Sequence, residues 1–271
     1  MPSSPPAIIL STLNARYIHA SLGLRYLLAN MARHGGADLR ARTILLEFTV
    51  ARPALKIVLG GPEVSHEREG QEIVRLADYL ITGWGDVSFP RLCRALLHGP
   101  EPLMKVISGE QPALEEIELP YAEYSTGDLA HRLLYVEASR GCPFKCEFCL
   151  SALDKTAWAF DLERLLAALE TLHQRGARNF KFVDRTFNLK IDSSLTILQF
   201  FLDRLTPDLF LHFEVIPDHL PARLKAMIAR FPTGVLQLEI GIQTFNPAVQ
   251  QVISRRQDNA RTCANVVLMV L

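Results

Sequence analysis

The chain repeats one hydrophobic pattern: a short apolar run, a loop bearing glycine or proline, then a longer stretch with apolar residues at helical spacing. AIILST (7–12) predicts a buried strand, and ASLGLRYLLANMARHGG (20–36) an amphipathic helix closed by glycines. RARTILLEF (40–48), KIVLGGP (56–62) and DYLITGWGD (78–86) predict further strands, with helices over REGQEIVRLA (68–77) and SFPRLCRALLHG (88–99). This alternation predicts a parallel, doubly wound sheet with ligands at the carboxyl ends of its strands. One join breaks the pattern. Between Phe48 and Lys56 the chain passes from strand to strand in about seven residues, where a parallel crossover takes a dozen or more. Either these strands are not parallel neighbours, or a strand–helix unit is missing.

Residues 98–132 carry four prolines and no sustained period, which predicts a connector with at most one short hairpin. The alternation then resumes. LLYVEAS (133–139), NFKFVD (179–184), LFLHFEVIP (209–217) and VLQLEIGIQTF (235–245) read as strands. DLERLLAALETLHQRG (161–176) reads as a helix capped by Asp161 and stopped at Gly176; SSLTILQFFLDRL (193–205), PARLKAMIARF (221–231) and NPAVQQVISRR (246–256) read as helices too. Four strand–helix units of about 30 residues predict a β/α barrel or part of one. NVVLMVL (265–271) falls where a fifth strand is expected, short of a full eight-stranded barrel. The expected organisation is an α/β domain over 1–99, a linker over 100–132 and a barrel-type domain over 133–271.

Composition narrows the classes. With 49% apolar residues, 21% charged and a formal net charge of zero, the chain reads as globular and argues against a broad nucleic-acid surface. The first residues lack the basic region of a secretory signal, and no run of about 18 apolar residues is long enough to span a membrane. Five cysteines, three of them clustered, do not form a secreted disulfide framework. The expectation is a reduced, cytoplasmic protein.

The cluster lies in SRGCPFKCEFCLSALD (139–154), where Cys142, Cys146 and Cys149 are spaced C-x-x-x-C-x-x-C on a loop that leaves a strand. Thiolates are soft ligands for zinc, copper(I) or iron–sulfur clusters. Structural zinc takes four ligands, usually in two pairs, whereas Cys93 and Cys263 lie far away and only a folded-back His131 or His173 would complete such a set. Three thiolates suit a four-iron cluster with one iron left open; zinc, or thiol redox and structure, are the alternatives. Gly141 permits backbone geometry that a side chain would block, Pro143 stiffens the turn, and Phe148 has a face to shield a cluster or stack on a ring.

CPFKCEFC after a strand, followed by βα units, resembles the radical S-adenosylmethionine (SAM) enzymes. The resemblance covers roughly Leu133 to the end. It implies that Cys142, Cys146 and Cys149 hold a [4Fe–4S] cluster, that SAM chelates the fourth iron, that Phe148 lies near the adenine, and that an external donor of flavodoxin or ferredoxin type supplies electrons. Asp184, Glu214 and Gln243 stand at the carboxyl ends of successive strands, where polar groups point toward one mouth and can receive the cofactor's ammonium and ribose hydroxyls. They could equally cap strands in solvent or pair with Arg185 or Lys181. DRTFN (184–188) looks like the second-strand loop of one subgroup, which adds weight to Asp184 and Asn188.

The first half, through LNARYIHASLGLRYLLANM (13–31), KIVLGGPEVS (56–65) and DYLITGWGDVSFPRLCRALL (78–97), resembles the Rossmann-like cobalamin-binding domain that precedes the barrel in one branch of that superfamily. Gly60, Gly61, Gly83 and Gly85 would let backbone approach a corrinoid closely. No D-x-H-x-x-G motif is present, so a histidine ligand from that motif is not expected, and His19 reads as a surface histidine. The short join would remove part of the pocket, so weak or absent corrinoid binding is expected. The resemblance implies radical generation or methyl transfer on an unknown substrate. A radical SAM oxidoreductase without corrinoid, and a non-catalytic zinc- or cluster-bearing interaction module, are the competing readings.

Overall fold

The computed structural model describes residues 7–11, 21–41, 43–45, 56–153 and 156–270. The short join and His19 lie outside them. The chain divides into two compact units between Ser125 and Thr126. Among the described residues no helix is long and apolar enough to cross a membrane.

In the first unit, β1 (Ile8–Leu10) pairs in parallel with β2 (Thr43–Leu45). Between them lie α1 (Leu22–Asn30), a single π turn over Met31–Gly35 and α2 (Ala37–Ala41). Ser21 starts α1, its hydroxyl accepting from the Leu24 N–H at 3.4 Å. Then follow β3 (Val58–Gly60), α3 (Pro62–Ser65), α4 (Glu72–Leu76), β4 (Tyr79–Thr82), α5 (Ser88–His98) and β5 (Val106–Ser108). The three strands form a parallel sheet in the order β3-β4-β5. Side chains of β4 alternate between two cores, Leu80 packing on Val64 and Val74 and Tyr79 and Ile81 on Leu92, so helices cover both faces.

Three expectations change here. Among the described residues the strands form two separate sheets rather than one, and β2 and β3 are not paired. Residues 100–132 are not a bare connector. Val106–Ser108 joins β4 as a parallel strand, and Asn30 on α1 ties down the stretch after it, donating to the Glu118 carbonyl at 3.2 Å and accepting from the Glu118 N–H at 3.0 Å. A three-residue strand between prolines leaves too little periodicity to detect. The boundary accordingly falls at 125/126 rather than across 100–132.

The second unit opens with α6 (Thr126–His131), β6 (Leu134–Val136) and an antiparallel pair, β7 (Ser139–Gly141) with β8 (Ala157–Ala159), that brackets the cysteine loop. α7 (Leu162–Gln174), β9 (Asn179–Phe182), α8 (Ile191–Leu202), β10 (Phe210–Val215), α9 (Ala222–Ile228), β11 (Leu236–Ile240), α10 (Pro247–Val252) and α11 (Asn259–Val270) follow. Asp161 caps α7 by accepting from the Arg164 N–H at 2.8 Å, and Gly176 stops it at φ 98°. Parallel pairing orders the sheet β11-β10-β9-β6.

The two faces of this sheet differ. Phe180, Phe182, Leu211 and Phe213 are buried on one, where Phe182 stacks on Phe213 at 4.7 Å and Phe180 meets Phe201 of α8 at 5.2 Å. Each such ring contributes roughly 1.5–3 kcal/mol by burial. The register places Tyr135, Lys181, His212, Glu214 and Glu239 on the other. A parallel sheet is ordinarily apolar on both faces, so the polar row marks the face that carries chemistry.

Of the expected fifth-strand segment, residues 265–270 do not begin a strand. They belong to α11, because Asp258 starts a helix there: its carboxylate accepts from the Arg261 N–H at 3.0 Å and its carbonyl from the Thr262 N–H at 2.9 Å. Asn265 is held by donating to the Pro217 carbonyl at 2.8 Å. The capped start overrides the β-branched run that follows it.

Candidate functional site

All elements of this site belong to the second unit. Gly141 ends β7 at φ 85°, and a Cβ there would strike the Thr156 carbonyl and come within 2.8 Å of the Trp158 ring. Only glycine lets β7 run against β8 and release the chain into the cysteine loop. The loop then turns on itself, with the Cys149 N–H donating to the Cys146 carbonyl at 3.1 Å and the Ala152 N–H to the Cys149 carbonyl at 3.0 Å. Cys142 and Cys146 are buried and Cys149 is partly so. Burial pushes the Cys142 thiol above its ordinary range, against hydrogen bonds from the Phe144 amide and the Thr186 hydroxyl.

All three cysteines line one cavity of about 400 Å³, together with Phe148, Glu214 and Gln243. Four of the expected groups therefore meet: the thiols, the aromatic beside them, the carboxylate ending β10 and the amide beyond β11. Among the described residues no three His, Cys, Asp or Glu side chains converge as a single ion would require. Three thiols lining one cavity of this size have room for a polynuclear cluster, in which each sulfur meets a different iron.

Sequence reasoning missed Arg185, Thr186, Glu239 and Arg255, which line the same cavity. Glu239 stands beside Glu214 in register. Burial works to raise it, but Lys181 Nζ at 3.2 Å and His212 Nε2 at 3.1 Å from its carboxylate hold it below the ordinary carboxylate range. Burial raises Glu214 despite the charge of Arg185. Among the described residues Glu214 is thus the carboxyl group of the pair without a salt-bridged cation, and the one left for an incoming ligand. The signal that could have found Glu239 was the alternation LQLEI, which puts it on the face of Glu214.

Asp184 is a correction. It does not reach the cavity of the cysteines but faces a small separate void beside β7. Its carboxylate accepts from the Ala138 N–H at 2.9 Å and the Ser139 hydroxyl at 2.6 Å, and burial lifts its pKa to about 7. Its place at a strand end was read correctly and its direction was not, because it follows Phe182 by two and so shares the apolar side. Asn188 is fully buried and also acts structurally, donating to the carbonyls of Ile216 at 2.8 Å and His219 at 2.7 Å.

In the first unit, Gly60 ends β3 and Gly61 follows it, and Gly83 and Gly85 follow β4. Gly61 and Gly83 have φ of 103° and 72°, and a Cβ on Gly61 would meet nothing within 4 Å. The Ser65 hydroxyl joins the two turns, donating to the Gly61 carbonyl at 2.7 Å and accepting from the Gly83 N–H at 3.2 Å. The glycines thus gather at the carboxyl edge of one parallel sheet, with an open backbone surface at Gly61.

Comparison with known proteins agrees with the geometry of the second unit. Residues 136–269 match the family model of the Radical SAM superfamily. An uncharacterized methyltransferase of Pyrococcus horikoshii is 31% identical over 58% of this chain and 41% of its own length. An uncharacterized methyltransferase of Synechocystis sp. is 32% identical over 41% of the chain and 21% of its length. The chain thus spans less than half the length of the curated relatives it matches. Among solved structures, the radical SAM methyltransferase TsrM of Kitasatospora setae, with tryptophan substrate and the SAM analogue aza-SAM, superposes with TM-score 0.62 at 13% identity, over 97% of this chain and 65% of TsrM. TsrM with cobalamin and a [4Fe–4S] cluster gives TM-score 0.60 at 15% identity, over 99% and 55%. At that identity the likeness shows a shared fold. Residues 136–269 are therefore identified as a radical S-adenosylmethionine domain of the Radical SAM superfamily.

Proposed function

We propose that the chain is the cluster- and cofactor-binding core of a radical SAM methyltransferase acting on a substrate still to be identified. One observation carries the reading: Cys142, Cys146, Cys149, Phe148, Glu214 and Gln243 surround a single cavity at the carboxyl ends of parallel strands. When bound, a [4Fe–4S] cluster supplies a low-potential electron and an open iron for SAM. The three thiolates would each hold one iron. Phe148, half exposed beside the third thiol, offers a ring face to the adenine. Glu214 accepts hydrogen bonds from the ammonium or ribose hydroxyls, and the Gln243 amide can do the same or donate. Methyl transfer is supported by the names of the two sequence relatives and by the TsrM fold. A corrinoid, if one takes part, would lie against the glycine edge of the first unit. An external electron donor completes the system.

Anaerobic reconstitution with iron and sulfide tests the reading. Four irons per chain and a broad visible absorption are expected, both lost in Cys142→Ala, Cys146→Ala and Cys149→Ala and kept in Cys93→Ala and Cys263→Ala. Incubation with SAM and a reductant should then yield S-adenosylhomocysteine or 5′-deoxyadenosine. Colourless protein with one zinc would overturn the enzyme reading, and 5′-deoxyadenosine without any methylated product would favour an oxidoreductase.

A further inference from the structure

The end of α10 is built to reach the cysteine loop. Ser254 adopts φ 54°, and the Arg255 N–H reaches back to the Gln250 carbonyl at 2.8 Å, the six-to-one bond of a Schellman turn. Three contacts join this turn to the middle of the loop. The Glu147 N–H donates to the Ile253 carbonyl at 3.1 Å, the Ser254 hydroxyl donates to Glu147 Oε1 at 3.0 Å, and Arg255 Nη1 donates to Cys146 Sγ at 3.7 Å. Nη2 of the same guanidinium donates to the Gly241 carbonyl at 2.5 Å, just beyond β11 and two residues before Gln243. Arg255 Nε is buried and without a hydrogen-bond partner among the described residues. The guanidinium is therefore held through its two Nη atoms, with Nη1 aimed at sulfur.

We propose that Arg255 sets the reduction potential of the cluster held by Cys142, Cys146 and Cys149, through its charged hydrogen bond to the Cys146 sulfur. This rests on the cluster reading of that loop. Reduction adds one negative charge, shared between irons and sulfurs, and a cationic donor at a ligand sulfur favours the more negative state. The anchor on Gly241 keeps the donor from swinging into solvent, and a planar fork can serve two acceptors at once where an ammonium on a flexible stem holds one geometry poorly. Arg255 is a positioning residue for electron entry. The rival role is a clamp for the cofactor's carboxylate, since the side chain lines the same cavity.

The test compares the wild-type chain with Arg255→Leu, Arg255→Lys and Ser254→Ala, each reconstituted anaerobically and assayed first for iron and sulfide. Each is then titrated with dithionite and mediators in the absence of SAM, with reduction followed by visible bleaching and electron paramagnetic resonance. At the potential where the wild type is half reduced, Arg255→Leu should show a reduced-to-oxidised ratio about tenfold lower, or ~59 mV for a one-electron couple. Arg255→Lys should fall between the two. Ser254→Ala, which loosens the same turn but keeps the donor, should match the wild type. If Arg255→Leu takes up no iron, the comparison rests on Arg255→Lys. An unchanged potential, or equal shifts in the Arg255 and Ser254 variants, overturns the proposal. So does weaker SAM binding at unchanged potential, which assigns the clamp instead. Failure of the wild type to take up iron overturns the cluster reading beneath it.

Discussion

Asn188 and Ile216 hold each other by a reciprocal pair of hydrogen bonds. The Asn188 amide donates to the Ile216 carbonyl at 2.8 Å, and the Ile216 N–H donates to Asn188 Oδ1 at 2.8 Å. The side chain behaves as one step of an added strand, and it fixes the backbone two residues beyond Glu214. Asn188→Ala leaves these groups and the His219 carbonyl without their partner. At about 1–3 kcal/mol for each buried polar group left unsatisfied, with some recovered by relaxation, a loss of about 3 kcal/mol is expected in urea unfolding of the apo chain. A loss under about 0.5 kcal/mol, the size of a neutral surface change, would show that the pairing is dispensable.

Asp184 links stability to pH. Burial raises its carboxyl from an ordinary 3.8 to about 7 in the fold, so the native state holds a proton that the unfolded chain has released. Between these values the native state binds more protons, and stability must fall as pH rises, by about tenfold in the folding equilibrium per pH unit. The contribution is fully present below about pH 4 and gone above about pH 7. Asp184→Asn should flatten this slope and, with Ser139 turning its hydroxyl to accept, match or exceed the wild type at pH 8. Parallel curves for the two chains from pH 5 to 8 would refute the assignment.

Glu214→Gln should weaken SAM binding about tenfold, the scale of one charge-assisted hydrogen bond, with iron content unchanged. Phe148→Ala should act in the same direction through lost stacking. Isothermal titration of the reconstituted chain reads both, and unchanged affinity in the pair would make these residues part of the wall only.

Hydroxocobalamin should bind weakly. A corrinoid needs a pocket across several adjacent strand ends, and the join between Phe48 and Lys56 is too short to carry a further strand–helix unit. Equilibrium dialysis of the full chain should give no stoichiometric complex. A tight one would establish that the glycine edge at Gly60, Gly61, Gly83 and Gly85 suffices.

The sequence was most informative where spacing itself is chemistry. Cys142, Cys146 and Cys149 could be placed together because a loop of eight residues cannot separate them far, and Glu214 and Gln243 followed from strand ends. Asp184 failed because being at a strand end does not give a direction; the alternation in NFKFVD did, and pointed it away from the row of Lys181 and His212. Arg255 was invisible because its role arises from a helix-ending turn that meets a loop more than a hundred residues earlier in the chain. Val106–Ser108 was too short to show a period, and α11 was misread because its capping aspartate was not weighed against a run of valines.

Position 141 has a consequence for how proteins of this kind are sorted. The cysteines can all be present while the loop that carries them is not formed, since any residue but glycine there drives a methyl group into Trp158 and the opposing strand. Such a variant would retain every ligand, pass any search for C-x-x-x-C-x-x-C, and still emerge from purification without iron. Natural or designed sequences that alter this one residue are therefore better grouped with proteins lacking a cysteine than with those keeping all three.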